Sequence, residues 1–351
     1  MANFKQSVLI LTPYLNDKLA FQEKKNETLI QTHLDKIAAL AKNLKSHQGM
    51  SSPAMGLTID ELSIQLNEVS THFRRNHKDL SQWQLSSSLG LCLSCHSQKP
   101  GHKFEITKKE MESFPTDGLI RADLFFILRD FTNARLEYQK VLFETTADSA
   151  EMNRLYKSFN RLVFMTLRFD NDFKELDQLF KKASVADNLP IDFKEQVKTL
   201  ARQLPVRSFV KNFHQRELSR FLDNLSLEDR SVSIETDLYH IEDLIDLLLA
   251  KELYQKLEEE DADKNLKAKI FYALSFLDQS VGNHLFYSLS NRYLLECVSL
   301  VPHSAQAQQC YQLYEDRITL AYTGSGGTDL PDEVKSELEN LKKKATDSQS
   351  P

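Results

Sequence analysis

Glycine and proline, the residues that turn or break a chain, are scarce in this sequence: nine of each among 351 residues. The long stretches between them are rich in Leu, Lys, Glu, Gln and Ala, which lose little side-chain freedom in a helix. The chain therefore reads as all-α, and at this length as two domains or a domain followed by a repeat array.

Apolar spacing predicts four helices in residues 1–98. Val8, Leu9, Leu11 and Leu15 mark a short first helix containing Pro13, which would remove one backbone hydrogen bond and kink it. The second runs from near Glu27 to His47 on the stripe Ile30, Leu34, Ile37, Ala41 and Leu44, with Gly49 as its stop. The third starts at Thr58, an N-cap whose capping-box partner is Glu61, and carries Leu62, Leu66, Val69 and Phe73. The fourth begins near Asp79 and carries Leu80, Trp83 and Leu89 down to a cysteine motif. Short connections favour an up-down-up-down four-helix bundle.

Residues 99–118 are polar, hold two prolines and two glycines, and predict a linker. Residues 119–322 predict helical hairpins in a short solenoid resembling tetratricopeptide repeats. The best repeat has Ala122, Phe125, Phe131, Ala134 and Tyr138; a degenerate one has Phe164, Leu167, Phe173, Leu176 and Phe180. A last one holds Phe286, Leu294, Cys297 and Pro302, with Tyr311 and Tyr314 on the following helix. Residues 323–351 predict one charged helix and a disordered tail, and the glycines of GSGG at 324–327 a simple turn. Nothing reads as strand. Cys297 and Cys310 fall on adjacent helices, where a disulfide and two free thiols are both compatible with the spacing.

The chemistry concentrates in Cys92-Leu93-Ser94-Cys95-His96. Two thiols three residues apart can each add to a vinyl group of one haem, and the next residue can bring an imidazole onto the iron. A thioredoxin-like pair would need a strand before the helix, and zinc a further ligand pair at finger spacing; neither is present. The motif predicts one covalent haem c on Cys92 and Cys95, with His96 as iron ligand. A helix ending in LGLCLSCHSQKP after antiparallel helices resembles the cytochromes c-prime and related four-helix cytochromes c, and that resemblance covers about the first hundred residues. It implies thioether bonds at Cys92 and Cys95 and proximal ligation by His96.

Bundle topology proposes Val8 to Leu11, His47, Met50 and Met55 for the opposite face of the haem. His47 is the candidate sixth ligand, against the alternative of a surface histidine favoured at a helix C-terminus. For Met50 and Met55 the alternative is loop filling. His33, His72 and His77 should lie toward the other end.

The net charge of -6 is spread along the chain without the basic face that nucleic acid demands, and no apolar run reaches the length of a membrane span. Covalent haem is attached outside the cytoplasm, so a periplasmic protein is expected, its signal peptide removed. The expected function is electron transfer, the repeats docking an unidentified protein partner and no enzymatic site being evident. A scaffold stabilised by its haem, and a haem-based gas binder, are the alternatives.

Overall fold

The computed structural model describes residues 2–15, 17–44, 53–98, 106–107, 110–111, 114–145, 151–170, 172–203, 213–225, 238–259, 263–282 and 289–346. Among them helix dominates, and no helix is long and apolar enough to cross a membrane. The chain forms two compact units. The first comprises Met1–Arg207, Ser233–Leu248 and Asn283–Tyr287, and the second Ser208–Val232, Leu249–Gly282 and Ser288–Pro351. The contacts do not divide the chain at 99–118, a segment that lies mostly outside the described residues.

The first unit opens with α1 (Ala2–Leu15, with Pro13 inside it), the single-turn α2 (Lys18–Gln22), α3 (Glu27–Ala41), α4 (Pro53–Arg74) and α5 (Lys78–Gln98). Helix α4 packs on α3 and on α5, and α1 packs on α3 and α5. Their shared core holds Val8, Leu11, Ile30, Leu34, Ile37, Leu62, Leu66, Val69, Phe73, Leu85 and Leu89.

Two predicted features change. Helix α4 begins five residues before Thr58, at Pro53, because proline's fixed φ suits a first helical turn and its missing N–H is not needed there. Thr58 is no cap but an interior residue whose hydroxyl donates to the Ala54 carbonyl at 2.9 Å. In α5, Leu80 and Trp83 face outward, 43% and 66% exposed, while Ser81, Leu85, Ser88 and Leu89 form the buried side.

Paired helices follow: α6 (Gly118–Ile127), α7 (Phe131–Glu144), α8 (Met152–Met165) with a π turn at Thr166–Asp170, α9 (Phe173–Val185) and α10 (Ile191–Gln203). Aspartates start several of them. Asp117, Asp130 and Asp172 each accept a hydrogen bond from a first-turn backbone N–H of α6, α7 and α9. Arg129 ends α6 with φ 62°, so the chain reverses at once into α7. Ala122 and Ala134 are fully buried where α6 meets α7, and Phe126 sits among Phe131, Tyr138, Phe164 and Phe169 with ring centroids 5.8–6.3 Å away.

The second unit contains α11 (Gln215–Asp223), the later part of α12 (Ile241–Leu257), α13 (Lys264–Gly282), α14 (Ser290–Leu300), α15 (Ala305–Ala321) and α16 (Asp332–Thr346). From α14 onward each helix packs on the one before it, and α13 packs on α11. Between α15 and α16 the predicted turn is a minimal antiparallel hairpin, Thr323 pairing with Thr328 and Gly324 with Gly327. Gly327 takes φ 103°, which a side chain would resist. Cys297 on α14 and Cys310 on α15 are joined in a disulfide with Cα atoms 6.3 Å apart, which decides between the two states their spacing allowed. Phe286 and the tail from 347 onward lie outside the described residues.

Candidate haem site

Helix α5 runs without interruption through Cys92, Cys95 and His96 to Gln98. On a helix, residues three and four apart share a face, so the three positions fall within roughly 100° of one another around its axis. They continue by helical spacing the stripe of Ser81, Leu85 and Ser88, whose residues are 0%, 1% and 0% exposed. The side chains of residues 92–98 lie outside the described residues.

Hydrogen bonds between helices set what lies level with the motif. Ser81 donates its hydroxyl to the Val69 carbonyl at 2.8 Å. One turn on, Gln84 donates its amide to Gln65 Oε1 at 2.8 Å and to Glu68 Oε2 at 2.6 Å. Advancing along α5 thus retreats along α4, so the two are antiparallel. Continued to the end of α5, the register brings Cys92 level with Thr58 and Cys95 level with Met55. Ala54, Met55, Thr58 and Ile59 are all buried there, so that end of α4 offers a mostly apolar wall from which water is excluded.

The other predicted neighbours divide. Gln31 donates to Ser70 Oγ at 3.0 Å and Ser70 donates to Asp35, placing residue 33 of α3 level with Ser70 and hence with Ser81. Ser7 Oγ and His33 Nδ1 lie 3.1 Å apart, so Val8 to Leu11 flank the middle of α3. Directly against α5, Gln82 donates its amide to the Tyr14 carbonyl at 2.7 Å and Lys18 pairs with Asp79, so α1 runs antiparallel to α5 and Val8 to Leu11 fall level with residues 88 to 85, about 6–11 Å short of Cys92 at 1.5 Å per residue. They therefore lie toward the motif end of the bundle, one to two turns below Cys92. His33 lies level with Ser81, about 16 Å from Cys92 along α5 and toward the other end as expected, and burial together with nearby Lys36 holds its imidazole below the ordinary histidine range. His72 and His77 stack at the α4–α5 connection with ring centroids 6.1 Å apart, at the far end as expected. His47 and Met50 lie outside the described residues; α3 itself ends at Ala41.

Met55 departs most from its predicted setting. It is no loop residue: it sits in the first turn of α4 and is 5% exposed. The early Pro53 was the available sequence signal for this. Met55 begins the stripe continued by Ile59, Leu62, Leu66, Val69 and Phe73.

No family model, curated protein or solved structure matches this chain.

The donor set fits a covalently held haem. Two thiol positions and an imidazole position share one helix face, next to a buried, largely hydrocarbon surface that would cover the macrocycle. Among the described residues no cluster of three or more His, Cys, Asp or Glu could hold a metal ion on its own.

Proposed function

We propose that this protein is a monohaem c-type cytochrome that transfers electrons outside the cytoplasm, and that its later helical hairpins, a tetratricopeptide-like array, dock a protein partner. The observation that carries the proposal is the position of the Cys-x-x-Cys-His sequence, continuing the buried stripe of α5 at the level of the apolar start of α4.

In this role Cys92 and Cys95 hold the haem by thioether bonds, and His96 binds its iron. Bound haem supplies a one-electron iron couple. The chain's own contribution is to tether and orient that group, while Ala54, Met55 and Ile59 keep one side dry. Excluding water favours the less charged, reduced state and so bears on the potential.

The disulfide between Cys297 and Cys310 supports the compartment. Such bridges persist where the surroundings are oxidising, which is also where covalent haem is attached.

The test is expression with a cytochrome c assembly system, followed by haem staining of the denatured protein. The wild type should carry stain and the double variant Cys92→Ala, Cys95→Ala should not. A wild-type band without stain after export and maturation would reject the proposal. Redox titration of the loaded protein then separates an electron carrier from a scaffold, whose haem need not cycle reversibly.

A further inference from the structure

We propose that Met55 is the second axial ligand of the haem, which makes the iron six-coordinate. The inference rests on the cytochrome reading above and adds to it the residue that closes the other face of the iron.

Three observations converge on Met55. The register set by Ser81 with Val69, and by Gln84 with Gln65 and Glu68, brings it level with Cys95, one residue from His96. It is buried within the wall that faces the α5 stripe, so its thioether competes with little solvent. Its neighbours at that level on α4, Ala54 and Ile59, are hydrocarbon; Thr58 carries a hydroxyl, but that hydroxyl is committed to the Ala54 carbonyl. Met55 is therefore the soft donor that the described part of this level offers to iron.

The alternatives within the described chain fall away on chemistry or position. Val8 to Leu11 lie nearer, level with residues 88 to 85 of α5, but their side chains are hydrocarbon; His33 lies level with Ser81, about 16 Å back along α5, and His72 and His77 lie at the α4–α5 connection. Ligation from α4 also has a structural logic. The methionine stands at the start of a 22-residue helix fixed by hydrogen bonds along its length, so the ligand would be held by a rigid element. A thioether opposite an imidazole places the potential above that of a bis-histidine haem.

The experiment is absorption spectroscopy of the full-length, haem-loaded protein. Haem content measured after denaturation in alkaline pyridine tests the cytochrome reading by itself. In the native ferric protein, the weak far-red sulfur-to-iron charge-transfer band tests the ligand. The wild type should be low-spin and show the band. Met55→Leu should lose it and become high-spin, whereas Met50→Leu and His47→Ala should keep it. Met55→His should stay low-spin without the band and lower the potential, which covers the case in which the leucine variant folds poorly. A high-spin wild type, a band that survives Met55→Leu, or a band lost in Met50→Leu would overturn the assignment while leaving covalent haem intact. Absence of haem from the wild type would remove both.

Discussion

Cys297 on α14 and Cys310 on α15 are bridged within the second unit, and both residues are wholly buried. The bridge closes a short loop of the unfolded chain, with a sequence separation of 13. In the chain-entropy account a loop of this size stabilises by about 3 kcal/mol. The double variant Cys297→Ala, Cys310→Ala should lose that much in urea unfolding followed by near-ultraviolet circular dichroism. Buried Tyr293, Tyr311 and Tyr314 supply a local signal. An unchanged midpoint would show that the bridge constrains nothing.

Arg161 is 1% exposed in the first unit, hydrogen-bonds the phenol of Tyr138, and lies over the Phe126 ring with its guanidinium carbon 5.5 Å from the centroid. Tyr138 in turn donates to Asp123 at 2.5 Å, and Lys157 pairs with the same carboxylate at 2.7 Å. Removing one member of a buried charged network costs about 3–5 kcal/mol, and a single hydrogen bond to a charged group about 1.5–3. Arg161→Met should therefore destabilise more than Tyr138→Phe when unfolding is followed by far-ultraviolet circular dichroism. The reverse order would mean that the guanidinium is not the centre of this network.

Acid should weaken the first unit. Burial alone would raise the carboxyls of Glu137 and Asp117, but hydrogen bonds from Lys140 and Arg121 to the first, and from Arg154 and the Ile120 amide to the second, hold both below the ordinary range. A carboxylate depressed in the folded state contributes stability above its unfolded pKa of about 4, and that contribution disappears as the pH falls through the lower folded value. Stability measured between neutral pH and pH of about 3 should thus drop less steeply in Glu137→Gln with Asp117→Asn than in the wild type. Parallel curves would dismiss both groups.

Trp83 is the chain's one tryptophan and is 66% exposed on the helix that carries the cysteine motif. Its emission should be red-shifted and open to soluble quenchers before unfolding. Cys92 lies nine positions further along the helix, about 14 Å along the axis. Attached haem should therefore quench it by energy transfer, and the Cys92→Ala, Cys95→Ala variant should recover full emission. Equal emission from both would place no haem near this helix.

The helices of this chain were legible because their apolar residues recur at three and four. Their faces were less so. In α5 the buried side is built partly from Ser81 and Ser88, which carry no hydrophobic signal, while the conspicuous Leu80 and Trp83 point outward. The cysteine motif is local and can be read directly; the register that brings Met55 level with it depends on side-chain amides and hydroxyls meeting across helices, which no spacing rule contains. Thr58 concealed the early start of α4 because a good cap residue inside a helix looks the same in sequence as one at its end. The disulfide was a matter of distance, and distance is a tertiary property.

The buried hydroxyls also bear on how many structures the bundle can adopt. Ser81 meets a particular carbonyl, Val69, and Ser70 a particular carboxylate, Asp35. A slide of one helix by a turn would leave such groups stranded in a dry seam, whereas leucines facing leucines would tolerate it. Replacing Ser70 and Ser81 by alanine should leave helicity intact yet broaden the core methyl resonances, as several near-equivalent alignments exchange with one another. Uniqueness here is written in hydroxyl groups, at some expense of cohesion, and it keeps the end of α5 facing one partner surface instead of several.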